Sequence, residues 1–193
     1  MPNTRANRAA AMMELSMGLR IRSANEEDYE RLLELEHGFS TEYVWQMELG
    51  QNPRMGAQFK ETRLPRPMQV SYPRSPGRLQ AEWKQRAALL LGESDNKIVG
   101  YTSLSSGLAP GAIWLTDLVV DVPYRRKGVG TRLIATAQKW ARDHGHVRLV
   151  LEMQSKNYPA IKLAQKLAFE FSGYNDKYYE NQDIALFFAK RLA

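Results

Sequence analysis

Cysteine is absent from all 193 residues. Disulfide staples, thiolate metal sites and a cysteine nucleophile are therefore excluded, and the composition fits a reducing, cytoplasmic setting. Long apolar runs are absent too, since none approaches the ~20 residues of a membrane-spanning helix, and no secretory apolar region stands near the start. Histidine is scarce: His37, His144 and His146 show no metal-ligand spacing, so no metal is expected. Internal repeats and a domain-dividing linker are also missing. The chain reads as a flexible N-terminal extension over residues 1–18 followed by one domain over 19–193, long enough for a substantial core.

Charge is plentiful but unevenly placed. The formal net charge is +6. Residues 26–48 carry eight acids against the single base Arg31, and residues 54–86 carry eight bases against Glu61 and Glu82. A nucleic-acid binder would use the second stretch as a phosphate patch. A phosphate-rich cofactor and a mixed solvated surface account for the same bias with less, so no nucleic-acid partner is expected.

Apolar periodicity gives a mixed α+β order. Leu19–Arg22 alternates as a strand. Asn25 caps a helix that begins with Glu26, Glu27 and Asp28 and buries Tyr29, Leu32 and Leu33. A second helix is expected over Thr41–Leu49. A loop is expected over Gly50–Arg66, punctuated by Pro53, Gly56 and Pro65, then a short edge strand over Met68–Tyr72. Leu79–Arg86 reads as a helix, and Ala87–Gly92 and Ile98–Ser105 as a hairpin around Ser94–Lys97. Ala112–Val122 reads as the central strand, and a helix with an apolar face of Val129, Leu133, Ile134, Ala137, Trp140 and Ala141 runs to His144. Val147–Met153 is a buried strand, Asn157–Leu167 a helix, and Tyr174 and Asp183–Ala189 mark two closing strands. Trp114 and Trp140 are expected in the core.

The stretch that organises this order is Arg125-Arg126-Lys127-Gly128-Val129-Gly130-Thr131. It joins a strand to a helix. The first turn of a helix exposes unpaired N–H groups and the positive end of the helix dipole, which together attract an anion. Gly128 and Gly130 let a bulky anion approach, and three cations surround it. Gly-Lys-Ser/Thr is missing, as is the third glycine of a dinucleotide fingerprint. The stretch resembles the pyrophosphate loop of the GNAT N-acetyltransferases, Arg/Gln-x-x-Gly-x-Gly/Ala, with Arg125, Gly128 and Gly130 filling the pattern.

That resemblance implies a GNAT fold, a mostly antiparallel sheet flanked by helices with a splayed central strand pair. It also implies acetyl-CoA as co-substrate and an activity that moves acetyl to a primary amine. The loop Arg125–Thr131 would hold the cofactor's diphosphate. The backbone of Leu118, Val119 and Val120 would hold the pantetheine and the thioester carbonyl, and Asn157 would contact the pantetheine arm. Asn157, Ala160 and Phe169 follow the family's second landmark, but its usual general-acid tyrosine falls on Ala164. Tyr158, Tyr174, Tyr178 and Tyr179 are candidate substitutes. A thiol of pKa near ~8.5 also leaves as a stabilised thiolate without such an acid.

Glu152 and Asp117 are candidate general bases. Each interrupts an apolar run, where desolvation favours proton uptake. Leu64-Pro65-Arg66, Tyr72-Pro73 and the closing stretch Tyr178–Phe188 resemble streptothricin acetyltransferases. A small cationic amine, polyamine-like or of the antibiotic type, is therefore the expected acceptor. Glu34 and Glu36 would attract it. A protein or peptide N-acetyltransferase and a non-catalytic acyl-CoA-binding module are the alternatives, and the family allows a homodimer through the last strands.

Overall fold

The computed structural model of the protein describes residues 18–49, 57–107 and 109–193. Strand β1 (Arg20–Ser23) leads through a 3-10 turn (Glu26–Asp28) into the short helix α1 (Tyr29–Leu33). Asn25 caps that turn: its side chain accepts from the Asp28 N–H at 3.2 Å, and the Asp28 carboxylate accepts from the Asn25 N–H at 2.9 Å. Arg22 grips the same carboxylate at 2.7 and 2.8 Å and holds its pKa below the ordinary value.

The next two elements differ from expectation. Residues Phe39–Leu49 form strand β2 rather than a helix, and Ala57–Val70 form strand β3 where a loop was expected. The two pair antiparallel as a separate ribbon. The cause is legible afterwards in Trp45-Gln46-Met47-Glu48, which alternates with period two and sits among β-favouring Tyr43 and Val44. The prolines of β3 lie in an irregular segment of the ribbon. Thr41 pairs with Met68 and Tyr43 with Arg63, so Leu64-Pro65-Arg66-Pro67 loops out opposite Glu42 as a bulge, where a missing N–H costs no ladder bond. The ordered edge strand expected over Met68–Tyr72 is the end of β3, which stops at Val70. The expected extension falls outside the described residues up to position 17, and the expected loop does so over 50–56.

Helix α2 (Pro76–Trp83) starts at Ser75, whose hydroxyl accepts from the Arg78 N–H. Strands β4 (Ala88–Ser94) and β5 (Lys97–Ser105) close as a hairpin through Asp95 and Asn96, both left-handed at φ 50° and 60°. That is the primed two-residue turn that matches strand twist. Strand β6 (Ala112–Val120) ends two residues early, because Pro123 fixes a 3-10 turn over Val122–Tyr124. Helix α3 (Val129–Asp143), strand β7 (Arg148–Gln154), helix α4 (Tyr158–Lys166) and strands β8 (Glu170–Asn175) and β9 (Ala185–Arg191) complete the chain.

Among the described residues, seven strands make one sheet in the order β1-β4-β5-β6-β7-β9-β8, antiparallel except for β6 against β7. One apolar cluster joins α3 and α4 to the sheet through Ile134, Ala137, Ile161, Leu149 and Leu151. A second joins α1 and α2 to it through Leu32, Leu79, Trp83, Tyr101 and Val119. Trp114 and Trp140 are half-buried rather than core, and Trp140 stacks on His144 at 3.8 Å. Among the described residues no helix is long and apolar enough to cross a membrane.

Candidate active site

The parallel pair is joined over half its length. Ala112–Leu115 pairs with Arg148–Leu151, and beyond that β6 and β7 part, leaving Thr116–Val120 and Glu152–Gln154 with facing edges unjoined. A bulge in β6 between Leu115 and Asp117 accompanies the parting. The cleft so formed has a volume of about 30 Å³ and is lined by Thr116, Leu118, Glu152, Gln154, Asn157 and Ala160, among others.

The basic loop stands at one end. Gly128 caps α3 in a left-handed conformation, φ 92°, and nothing would meet a Cβ there, so the conformation is what requires glycine. Gly130 answers to space instead: a Cβ would lie 3.2 Å from Leu163 of α4. The first rung of α3 runs from the Arg132 N–H to the Gly128 carbonyl at 3.0 Å, so the N–H groups of Val129, Gly130 and Thr131 precede the ladder. Arg126 is exposed at φ 63°, and Lys127 lies over the Tyr124 ring at 5.6 Å. Arg125 turns inward. It donates to the Val120 carbonyl at 2.7 Å and to the Glu36 carbonyl at 2.5 Å, and burial holds its pKa below the ordinary value. Its guanidinium ties the end of β6 to the loop after α1, leaving Arg126 and Lys127 as the loop's outward cations.

The other end is polar and buried. Asp117 on β6 and Glu152 on β7 stand on opposite sides of the parting, with side chains 0% and 1% exposed. Glu152 is not an outward strand position. Arg74, from the loop between β3 and α2, bridges the two: it donates to Glu152, lies 3.4 Å from Asp117, and takes the Thr116 carbonyl at 3.1 Å. Its positive charge offsets the cost of burying both carboxylates. The phenol of Tyr72 donates to Asp117 Oδ1 at 2.6 Å, while Ser103 and Thr116 approach Oδ2. Tyr178 donates to Glu152 Oε2 at 3.0 Å, and burial, followed by the Glu152 charge, pushes its pKa up to about 12.

Beyond the loop carrying Arg74 lies a larger groove of about 910 Å³, bordered by Glu36, His37, Ser40, Tyr72, Arg74 and Glu180. Tyr72, Pro73 and Arg74 line both the cleft and the groove. Burial lowers the pKa of His37, whose ring nitrogens lie 2.6 Å from the Leu35 carbonyl and 3.1 Å from the Tyr101 hydroxyl. Glu36 borders the groove, whereas Glu34 is exposed at the end of α1 and does not.

Asn157 caps α4 by accepting from the Ala160 N–H at 3.2 Å, and it also borders the cleft. Ala164 lies in the apolar core at 0% exposure, so the family's tyrosine position is here a packing position. Of the substitute tyrosines, Tyr158 donates to Glu61, Tyr174 packs on Phe59, and Tyr179 is buried under the Arg74 guanidinium at 5.5 Å. Arg74, Ser103 and the part played by Tyr72 escaped the sequence reading. A Tyr-Pro-Arg run before a capped helix reads as a connector, and no local signal tells that it folds onto a parting 40 residues later.

The family model described as "Acetyltransferase (GNAT) family" matches residues 58–169. The chain belongs to the GNAT acetyltransferases. It is 27% identical over 165 residues to a streptothricin acetyltransferase of Streptomyces lavendulae, covering 82% of this chain and 85% of that one. It is 30% identical over 124 residues to streptothricin acetyltransferase A of Bacillus subtilis, 62% and 66% of the two chains. In fold it is similar to a nourseothricin acetyltransferase, with TM-score 0.79, 21% identity and 91% and 99% of the two chains covered. It is also similar in fold to a putative streptothricin acetyltransferase of Bacillus anthracis in complex with acetyl coenzyme A, with TM-score 0.72, 23% identity and coverage of 92% and 99%. As a GNAT protein the chain is an acetyl-CoA-dependent N-acetyltransferase. The unladdered N–H groups of α3, the cations Arg126 and Lys127 and the unjoined strand edges suit a diphosphate and an amide-bearing arm.

Proposed function

We propose that this GNAT acetyltransferase acetylates a primary amine of a small cationic acceptor of the streptothricin type. The observation that carries the reading is the buried Asp117–Arg74–Glu152 bridge between the cleft and the groove. Two carboxylates against one guanidinium leave one net negative charge, which suits an ammonium. Glu82, shared by Arg74, Arg78 and Arg86, and Glu180, paired with Arg78, extend the network to four carboxylates and three guanidiniums, which keeps one net negative charge.

In this reading the diphosphate of acetyl-CoA sits at the N-terminus of α3, with Arg126 and Lys127 beside it. The backbone of Leu118, Val119 and Val120 and the side chain of Asn157 hold the pantetheine, and an N–H of Val119 or Val120 stabilises the oxyanion as the amine attacks. Asp117 or Glu152 takes the proton that the nitrogen sheds. Glu36 draws the acceptor into the groove, and the end of the acceptor away from the attacking amine lies toward Glu180.

The test is CoA release from acetyl-CoA with streptothricin, polyamines, lysine derivatives and short peptides, for wild type and for Lys127→Ala. Release with streptothricin or a polyamine, and a raised KM for acetyl-CoA in the variant, is the expected result. Release with peptides alone would overturn the small-acceptor reading.

A further inference from the structure

Neither candidate base meets open solvent, since their side chains are 0% and 1% exposed. Glu152 lines the cleft, whereas Asp117 lines neither cavity, so an amine needs an intermediary to pass Asp117 a proton. Tyr72 has the required geometry. It borders both cavities, and its phenol donates to Asp117 Oδ1 at 2.6 Å. Tyr178 makes the parallel hydrogen bond to Glu152 but borders neither cavity. The two carboxylates differ in company: the Arg74 guanidinium is in direct contact with Glu152 and stands off at 3.4 Å from Asp117, with Arg86 at 3.9 Å from Asp117. Ser103 and Thr116 occupy Asp117 Oδ2, which keeps Oδ1 turned to the phenol.

We propose that Tyr72 is a catalytic proton relay, passing a proton from the acceptor nitrogen to Asp117 and returning it to the departing sulfur. The inference rests on reading Asp117 as the base. The acceptor ammonium first loses one proton to water in the groove; as the resulting neutral nitrogen bonds to the thioester carbonyl carbon, the carbonyl π electrons move to oxygen and the nitrogen becomes cationic. That nitrogen gives a proton to Tyr72 Oη while the phenol's own proton moves to Asp117 Oδ1. When the carbonyl re-forms, the C–S bond breaks and the electron pair leaves on sulfur. The proton on Asp117 passes back through Tyr72 to the thiolate, giving amide and thiol. Burial, and next the Asp117 charge, hold the pKa of Tyr72 well above the ordinary value, so the phenol starts protonated throughout the working range. The return step supplies the proton that Ala164 cannot.

The experiment uses the full chain with acetyl-CoA and an amine shown to be acetylated. Tyr72→Phe removes the hydroxyl and keeps the ring that packs on His37. Its kcat is expected to fall about 100-fold with KM for acetyl-CoA unchanged. The solvent-isotope proton inventory on kcat is expected to be curved in wild type and linear in the variant. Difluorotyrosine at position 72 keeps the hydroxyl and makes it more acidic, so kcat should change in a relay and stay level for a hydroxyl that only props Asp117. A wild-type kcat in Tyr72→Phe beside a slow Asp117→Asn would overturn the relay and keep the base. A wild-type kcat in Asp117→Asn would overturn the base reading and the relay with it.

Discussion

The two walls of the parting carry the same kind of group in different company. On β6, Asp117 is held by three hydroxyls, those of Tyr72, Ser103 and Thr116, with the guanidiniums of Arg74 and Arg86 at longer distances, 3.4 and 3.9 Å. On β7, Glu152 meets the Arg74 guanidinium directly and takes a phenol from Tyr178 on its other oxygen. Hydroxyls orient a carboxylate and can hand a proton on, whereas a guanidinium in contact fixes it as one half of an ion pair. In this account Glu152 holds Arg74 in place and Asp117 handles the proton. The loop carrying Tyr72 and Arg74 serves both walls from one short segment.

The largest effect that would break this comparison is at Arg74. Arg74→Met leaves two buried carboxylates without their shared cation and is expected to cost about 3–5 kcal/mol of stability. Thermal unfolding measures it. Adding Glu152→Met to that variant should restore part of the loss, since the uncompensated charge on the β7 wall is then gone, and urea unfolding of the double-mutant cycle reads the coupling.

A smaller effect sharpens the account on the groove side. Glu36→Lys should raise the KM of a cationic acceptor about tenfold with kcat unchanged, while Glu34→Lys, which lies away from the groove, should leave it near wild type. Steady-state kinetics at two salt concentrations separates attraction from contact, because an exposed carboxylate acts less at high salt.

The smallest concerns the β7 wall at high pH. Tyr178 has a folded pKa of about 12 against an ordinary value of 10.0, so the folded state keeps its proton longer. Its contribution to stability is whole below pH 10 and lost as pH rises through about 12. Stability of Tyr178→Phe should therefore fall less steeply than wild type over that window, as measured by denaturant unfolding at stepped pH. The remaining alkaline slope belongs to Tyr72, Tyr101 and Tyr179, which burial also holds protonated.

The halves of the chain were unequally legible. From β4 onward, local rules agree with the fold: a primed turn at Asp95-Asn96, a single apolar face on α3, and a cap at Asn157. The strand-to-helix turn of the basic loop was legible through two glycines, one needed for φ 92° and one for close approach to Leu163. In the ribbon β2–β3 the period-two signal was present but short, and prolines in a bulge imitated a loop. Both carboxylates were visible because each interrupts an apolar strand. Their partners were not, since Arg74 and Tyr72 reach Asp117 across more than 40 residues of sequence, and only the tertiary fold brings them there.

The most direct measurement of the central claim is kcat for Asp117→Asn and Glu152→Gln, with acetyl-CoA affinity measured by calorimetry on the same preparations. The account predicts a fall in kcat of about 100-fold or more for Asp117→Asn, a smaller fall for Glu152→Gln, and unchanged acetyl-CoA affinity in both. Wild-type turnover in Asp117→Asn would contradict it, whatever Glu152→Gln does.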